Sequence, residues 1–150
     1  MFELFDLKDA MESLEESMDL IYDEWGRYFS TSKEVKMAKI RASILDNSEF
    51  PKMYILKKDN ELVGSFTIKD KDLSNCDLSP WLVCVIIKKE HRGKGYANVL
   101  LSYIKKIIDN SYKKMYLTTS HVGFYEKIGF EFVKLVDHNG EIEKLYEYKG

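Results

Sequence analysis

Apolar and polar residues alternate from Phe2 to Leu7, which predicts a first strand. Met11, Leu14, Met18, Ile21, Tyr22 and Trp25 then share one helical stripe, with Glu12, Glu15, Glu16 and Asp19 outside it, and Gly26 ends the pattern. Thr31 is followed three residues later by Glu34, a capping-box spacing, and Val35, Ala38, Ala42 and Leu45 predict one face of a second helix. Pro51 blocks continuation of that helix, and Met53 to Leu56 and Leu62 to Ile68 read as a hairpin turning at Lys58-Asp59-Asn60. A polar loop runs from Lys69 to Pro80. It leads into Trp81 to Ile87, an unbroken apolar run of the kind that a central strand covered on both faces requires.

The clearest helix follows, with Tyr96, Val99, Leu100, Tyr103, Ile104, Ile107 and Ile108 at helical spacing. Met115 to Thr118 predicts a strand, and Val122 to Ile128 a short helix closed by Gly129. Phe130 to Val136 and Ile142 to Tyr148 flank Asn139-Gly140, a strong hairpin-turn pair. The chain has no repeat, linker or low-complexity segment.

Composition adds bounds. A length of 150 residues, 45% of them apolar, suits one domain with one substantial core. Its 23 basic and 25 acidic residues leave a formal charge of −2, so nothing global points to nucleic acid or an anionic membrane. The longest apolar stretch, Trp81 to Ile87, is far short of the roughly 20 residues a spanning helix needs. The first residues carry no basic, apolar leader pattern, so a soluble cytoplasmic protein is expected, with Cys76 and Cys84 as reduced thiols.

The segment Arg92-Gly93-Lys94-Gly95-Tyr96-Ala97 lies between the apolar strand and the best helix. Backbone amides at a helix start have no intrahelical acceptor, and the helix dipole adds positive potential there. Glycines without a Cβ let a phosphate approach the backbone, and Lys88, Lys89, Arg92 and Lys94 add full charges. A Walker loop would need G-x-x-x-x-G-K-[ST], and a dinucleotide fingerprint would need a third glycine where Asn98 stands; both are absent.

The remaining pattern, Arg92-x-x-Gly95-x-Ala97 after a strand, resembles the coenzyme A loop of the GNAT superfamily of N-acetyltransferases. Gly123-Phe124-Tyr125-Glu126-Lys127-Ile128-Gly129-Phe130 is similar to a second signature of that family. The resemblance is firm from Trp81 to Phe130 and looser before it. It implies an α/β (α+β) fold, with a mixed central sheet of about six to seven strands flanked by about four helices in one domain over 1–150.

The resemblance also implies roles. Acetyl-coenzyme A (acetyl-CoA) is the donor. Its pyrophosphate would lie on Arg92, Gly93, Lys94, Gly95, Tyr96 and Ala97, and its pantetheine arm along Val85, Ile86 and Ile87. The Val85 N–H would be the oxyanion donor and Tyr125 the acid that protonates the leaving sulfur. Many members carry an asparagine seven residues before this tyrosine; here Thr118 stands there, so Thr118 and Thr119 are candidate cofactor contacts. For the acceptor side the candidates are Glu24, Trp25, Tyr28, Asp77, Trp81 and His121, although Trp25 continues a buried stripe and reads first as core packing.

The base that deprotonates the amine stays open among Glu24, Asp70, Asp77, His121 and water. His91 flanks the loop, His138 falls in the last hairpin, and no metal-ligand spacing links the histidines. The implied partner is a small-molecule or peptide amine, and homodimers are frequent in the family. A non-catalytic acyl-CoA sensor of the same fold, or an interaction domain in which the loop is only a turn, are the alternatives.

Overall fold

The computed structural model describes residues 1–150 as one seven-stranded sheet with three α-helices. The strands are β1 (Phe2–Asp6), β2 (Lys52–Lys58), β3 (Glu61–Lys69), β4 (Trp81–Ile87), β5 (Tyr116–Thr119), β6 (Phe130–His138) and β7 (Glu141–Tyr148). The helices are α1 (Leu14–Trp25), α2 (Lys33–Leu45) and α3 (Tyr96–Ser111). Sheet order is β1-β2-β3-β4-β5-β7-β6, so the unbroken apolar run stands at the centre as its composition requires. All neighbours pair antiparallel except β4 and β5, which are parallel and connected by α3. No helix is long and apolar enough to cross a membrane.

The two faces of the sheet carry separate cores. Leu100, Leu101, Ile104 and Ile108 of α3 pack on Leu82, Ile87, Leu117 and Tyr146. Leu14, Met18 and Ile21 of α1 and Met37 of α2 pack on Met53, Ile55 and Leu62. A small group on that second face, Trp81, Tyr116 and Leu145, fills the sheet where β4 meets β5. Both hairpin turns use left-handed residues, Asp59-Asn60 and Asn139-Gly140, which matches the right-handed twist of the flanking strands.

Four expectations are corrected. First, α2 is capped by Ser32, whose side chain accepts from the Val35 N–H at 3.2 Å; Thr31 instead offers its carbonyl to the Tyr22 hydroxyl at 2.8 Å, tying α2's entry to α1. Second, the inward face of α2 is Met37 with Ile40 and Ile44, while Val35 and Leu45 are exposed, Leu45 at 86%. Two apolar stripes compete at helical spacing, and the one carrying the longer side chains fills the space below. Third, Met11–Ser13 forms a separate 3-10 turn before α1.

Fourth, the short helix predicted from Val122 is a 3-10 turn over Tyr125–Ile128, so the helices number three rather than four. Gly123 has φ +85°, outside helical space, and its N–H bonds to the Glu126 side chain at 3.0 Å instead of to backbone.

Candidate active site

The loop after β4 is built to present backbone. Arg92 is extended and its Nε donates to the Ile87 carbonyl at 2.9 Å, which fixes the chain as it leaves the strand. Gly93 and Gly95 follow at φ +78° and +82°, a region that costs other residues about 1 kcal/mol or more, and Gly95 is the N-cap of α3. A Cβ built on either glycine would meet nothing within 4 Å, so the left-handed turn faces open space and α3's first amides are reachable. Tyr96 and Ala97 are half-buried at the helix start, where the Tyr96 ring packs edge-on against Phe2 at 5.0 Å and stacks on His91 at 5.8 Å. Lys94 is exposed.

Beside the loop a cleft of about 560 Å³ runs between α1 and the end of β4, lined by Glu16, Asp19, Glu24, Ile86, Lys88 and Arg92. Two ion pairs cross it: Lys88 to Glu16 at 2.8 Å and Arg92 to Glu24 at 3.9 Å. The hydrogen bond from Lys88 to Glu16 raises the pKa of this ammonium. Glu24 therefore stands with the phosphate loop.

The central strand is opened twice. β4 pairs with β5 only at Trp81↔Tyr116, the first residue of each, so beyond that point the β5-facing donors and acceptors of β4 have no strand to meet. Cys84, at φ +54°, bulges: between Ser65↔Ile86 and Thr67↔Val83, two β4 residues oppose one on β3. Val83 packs with the Trp81 group and Cys84 with the α1–α2 core, so consecutive residues face one side and Val85 is turned to the α3 side. Val83, Cys84 and Val85 are half-buried between fully buried neighbours. An extended ligand with amides could complete the sheet along Val85, Ile86 and Ile87, and the glycine loop stands at the end of that track. The residues present thus fit acetyl-CoA.

Tyr125 opens the 3-10 turn after β5. Its ring packs edge-on against Phe124 at 4.9 Å and Phe130 at 6.0 Å, and its hydroxyl has no hydrogen-bond partner in the protein. Burial pushes that hydroxyl above the usual tyrosine range, so it stays protonated at neutral pH. Glu126 pins the turn, accepting from the Gly123 N–H at 3.0 Å and the Tyr146 hydroxyl at 2.8 Å.

On the α1–α2 face a polar cluster adjoins the opening. Thr118 is two residues past Tyr116 and on its side of β5; its Oγ1 lies 3.1 Å from His138 Nδ1. The same Nδ1 is 2.6 Å from Glu143 Oε1, and Nε2 is 3.4 Å from Asp72 Oδ2, while Lys69 Nζ holds the other oxygen of that carboxylate, Oδ1, at 3.0 Å. Cys84 and Lys36 lie on the same α1–α2 side of the sheet. Burial raises the thiol to about 11 and lowers the Lys36 ammonium, whose Nζ sits 3.8 Å over the Phe29 ring. Tyr28 closes the edge by donating to Glu141 Oε1 at 3.0 Å, joining the α1–α2 connection to the β6–β7 hairpin.

The remaining sequence candidates are scattered. Trp81 is 0% exposed and donates through Nε1 to the Leu78 carbonyl at 2.7 Å, so it offers no wall to an acceptor. Trp25 is half-buried against the α1–α2 core. Asp70 accepts from the Ser79 hydroxyl at 2.6 Å, and Asp77 is exposed, with its carbonyl bound by Lys71 at 3.1 Å; both shape the β3–β4 loop. His121 is exposed, and its N–H donates to the Oγ1 of Thr119, a buried residue on the α3 side opposite Thr118. Asp72, His138 and Glu143 were not among the candidates. Asp72 is one of several acids in a polar loop, His138 reads as hairpin, and only the pairing of β6 with β7 brings Glu143 near.

The family model for the acetyltransferase (GNAT) domain matches residues 49–132, more than half of the chain. A search of curated protein sequences finds no match. Solved structures share the fold at low identity. A spermidine N-acetyltransferase from Vibrio cholerae, in complex with CoA and spermine, superposes at TM-score 0.73 with 16% identity over 97% of this chain and 94% of its own. An aminoglycoside 6′-N-acetyltransferase complexed with coenzyme A gives 0.72 with 15% identity over 98% and 95%. A chimera of the Vibrio cholerae spermidine enzyme gives 0.74 with 19% identity over 98% and 94%. With the glycine loop, the opened central strand and the domain match together, the chain belongs to the GNAT family of acetyltransferases, acyltransferases whose donor is acetyl-CoA.

Proposed function

We propose that this chain is a cytoplasmic N-acetyltransferase that moves the acetyl group of acetyl-CoA to a primary amine of a small molecule or peptide, by direct attack in a ternary complex. The observation that carries this reading is the opening between β4 and β5, with the glycine loop at one end and Tyr125 after β5. Acetyl-CoA, when bound, supplies a thioester as electrophile. Arg92, Lys94 and the amides from Gly93 to Ala97 would hold its pyrophosphate, Thr118 or Thr119 would touch its arm, and the Val85 N–H would polarise the acetyl carbonyl. Tyr125 would hold a proton at its hydroxyl for the departing sulfur.

Acceptors reach this point from the α1–α2 face, where Tyr28, Trp25 and the β6–β7 hairpin border the approach. Spermidine and aminoglycoside acetylation by the structural neighbours supports an amine acceptor without selecting one. The test is thiol release from acetyl-CoA across a panel of amines. Release that depends on an amine supports transfer. Binding of acetyl-CoA without release for any amine would favour a sensor of the same fold.

A further inference from the structure

An amine that attacks an acyl group must first lose a proton, and the carboxylates and histidine proposed from sequence for that task are paired elsewhere or exposed. Asp70 accepts from Ser79 and Glu24 faces Arg92, while Asp77 and His121 are exposed in loops. We infer that His138 is the group that takes this proton, an inference that rests on the transfer reading above and specifies its base.

Position comes first. Thr118 lies on β5 just past the last β4–β5 pair, and His138 sits against its hydroxyl. Thr118 shares the face of β5 that carries Tyr116, so the imidazole stands on the α1–α2 side of the sheet, toward which the Cys84 bulge also faces. Val85, the proposed oxyanion donor, is the next residue.

The hydrogen bonds then select the reactive nitrogen. Ionised Glu143 can only accept, so the 2.6 Å contact to Nδ1 requires a proton there. Neutral His138 therefore carries its lone pair on Nε2, which makes no hydrogen bond. Asp72 approaches Nε2 at 3.4 Å without hydrogen-bonding geometry. A carboxylate that orients one nitrogen while the other is free to accept is the arrangement a general base needs. The charged groups around it are Glu143 and Glu141 from β7, Asp72 and Lys69 from the β3–β4 segment, and Lys36 from α2. Glu143 and Asp72 are the nearest.

The step is a single proton transfer. One N–H bond of the ammonium acceptor breaks and one forms at Nε2; the positive charge passes to the ring, the amine keeps its electron pair for attack, and the ring later returns the proton to water.

Two readouts test this. In ¹⁵N-histidine NMR of the unliganded protein, neutral His138 should show the Nδ1–H tautomer, with Nε2 as the unprotonated nitrogen. An Nε2–H tautomer would overturn the assignment. In kinetics, His138→Gln should lower kcat roughly 100-fold at pH 7, with the deficit shrinking as pH rises toward the amine's own pKa. The melting shift given by acetyl-CoA should be unchanged. Unaltered turnover, or a deficit equal at every pH as a purely structural role would give, sinks the inference while leaving transfer intact. If the glutamine variant loses the melting shift, His138→Asn and the wild-type NMR decide. No turnover by wild-type protein with any amine would overturn the transfer reading and the inference together.

Discussion

Trp81 of β4 and Tyr116 of β5 are the one pair through which the two parallel strands meet, their rings 5.7 Å apart and tilted by 44°. Past them the sheet parts. Trp81 is fully buried, so its bulk holds the base of the opening rather than lining it. Trp81→Ala should cost about 3–5 kcal/mol of stability, measured by denaturant unfolding, and weaken acetyl-CoA binding because the opening loses its fixed base.

Tyr125→Phe keeps the ring between Phe124 and Phe130 and removes only the hydroxyl. We expect kcat to fall roughly 100-fold with acetyl-CoA affinity unchanged, read from steady-state kinetics and thermal shift. Unchanged kcat would remove Tyr125 from the mechanism.

Gly95→Asp and Gly64→Ala separate two kinds of glycine. A Cβ at Gly95 meets no protein atom within 4 Å, so apart from the cost of its φ the loss should appear as weakened acetyl-CoA binding. At Gly64 a Cβ would stand 2.7 Å from the Ile86 carbonyl oxygen, beside the bulge. That variant should lose about 1–3 kcal/mol of stability even without ligand, by denaturant titration.

Alkaline stability reports on Cys84. Burial raises its thiol from 9.0 to about 11, so as pH climbs from 9 to 11 the unfolded chain ionises there while the folded chain does not. The folded state then holds the extra proton, and stability falls with rising pH over that window, on the order of 2 kcal/mol in all. Below about pH 8 this group contributes almost no slope. Cys84→Ser should flatten that part of the curve in unfolding measured at pH 8, 9.5 and 10.5; an unaltered slope would show that Cys84 is not its source.

Donor chemistry was legible in the sequence because it is local. The glycines, the strand before them and the helix after them are contiguous, and Tyr125 lies in a contiguous signature. The apolar pattern also gave β4 its central place, since an unbroken apolar run belongs in the middle of a sheet. What pattern alone missed is non-local. The face of α2 depended on what lay below it, and the Cys84 bulge is visible only against β3. The His138 cluster is assembled from β5, β6, β7 and the β3–β4 loop.

Thiol release from acetyl-CoA in the presence of diverse primary amines tests the central claim most directly. The account predicts amine-dependent release of free coenzyme A, with the acetyl group recovered as an amide on at least one acceptor, abolished or reduced at least tenfold in Tyr125→Phe. Saturable acetyl-CoA binding with no amine-dependent release across the panel would contradict it.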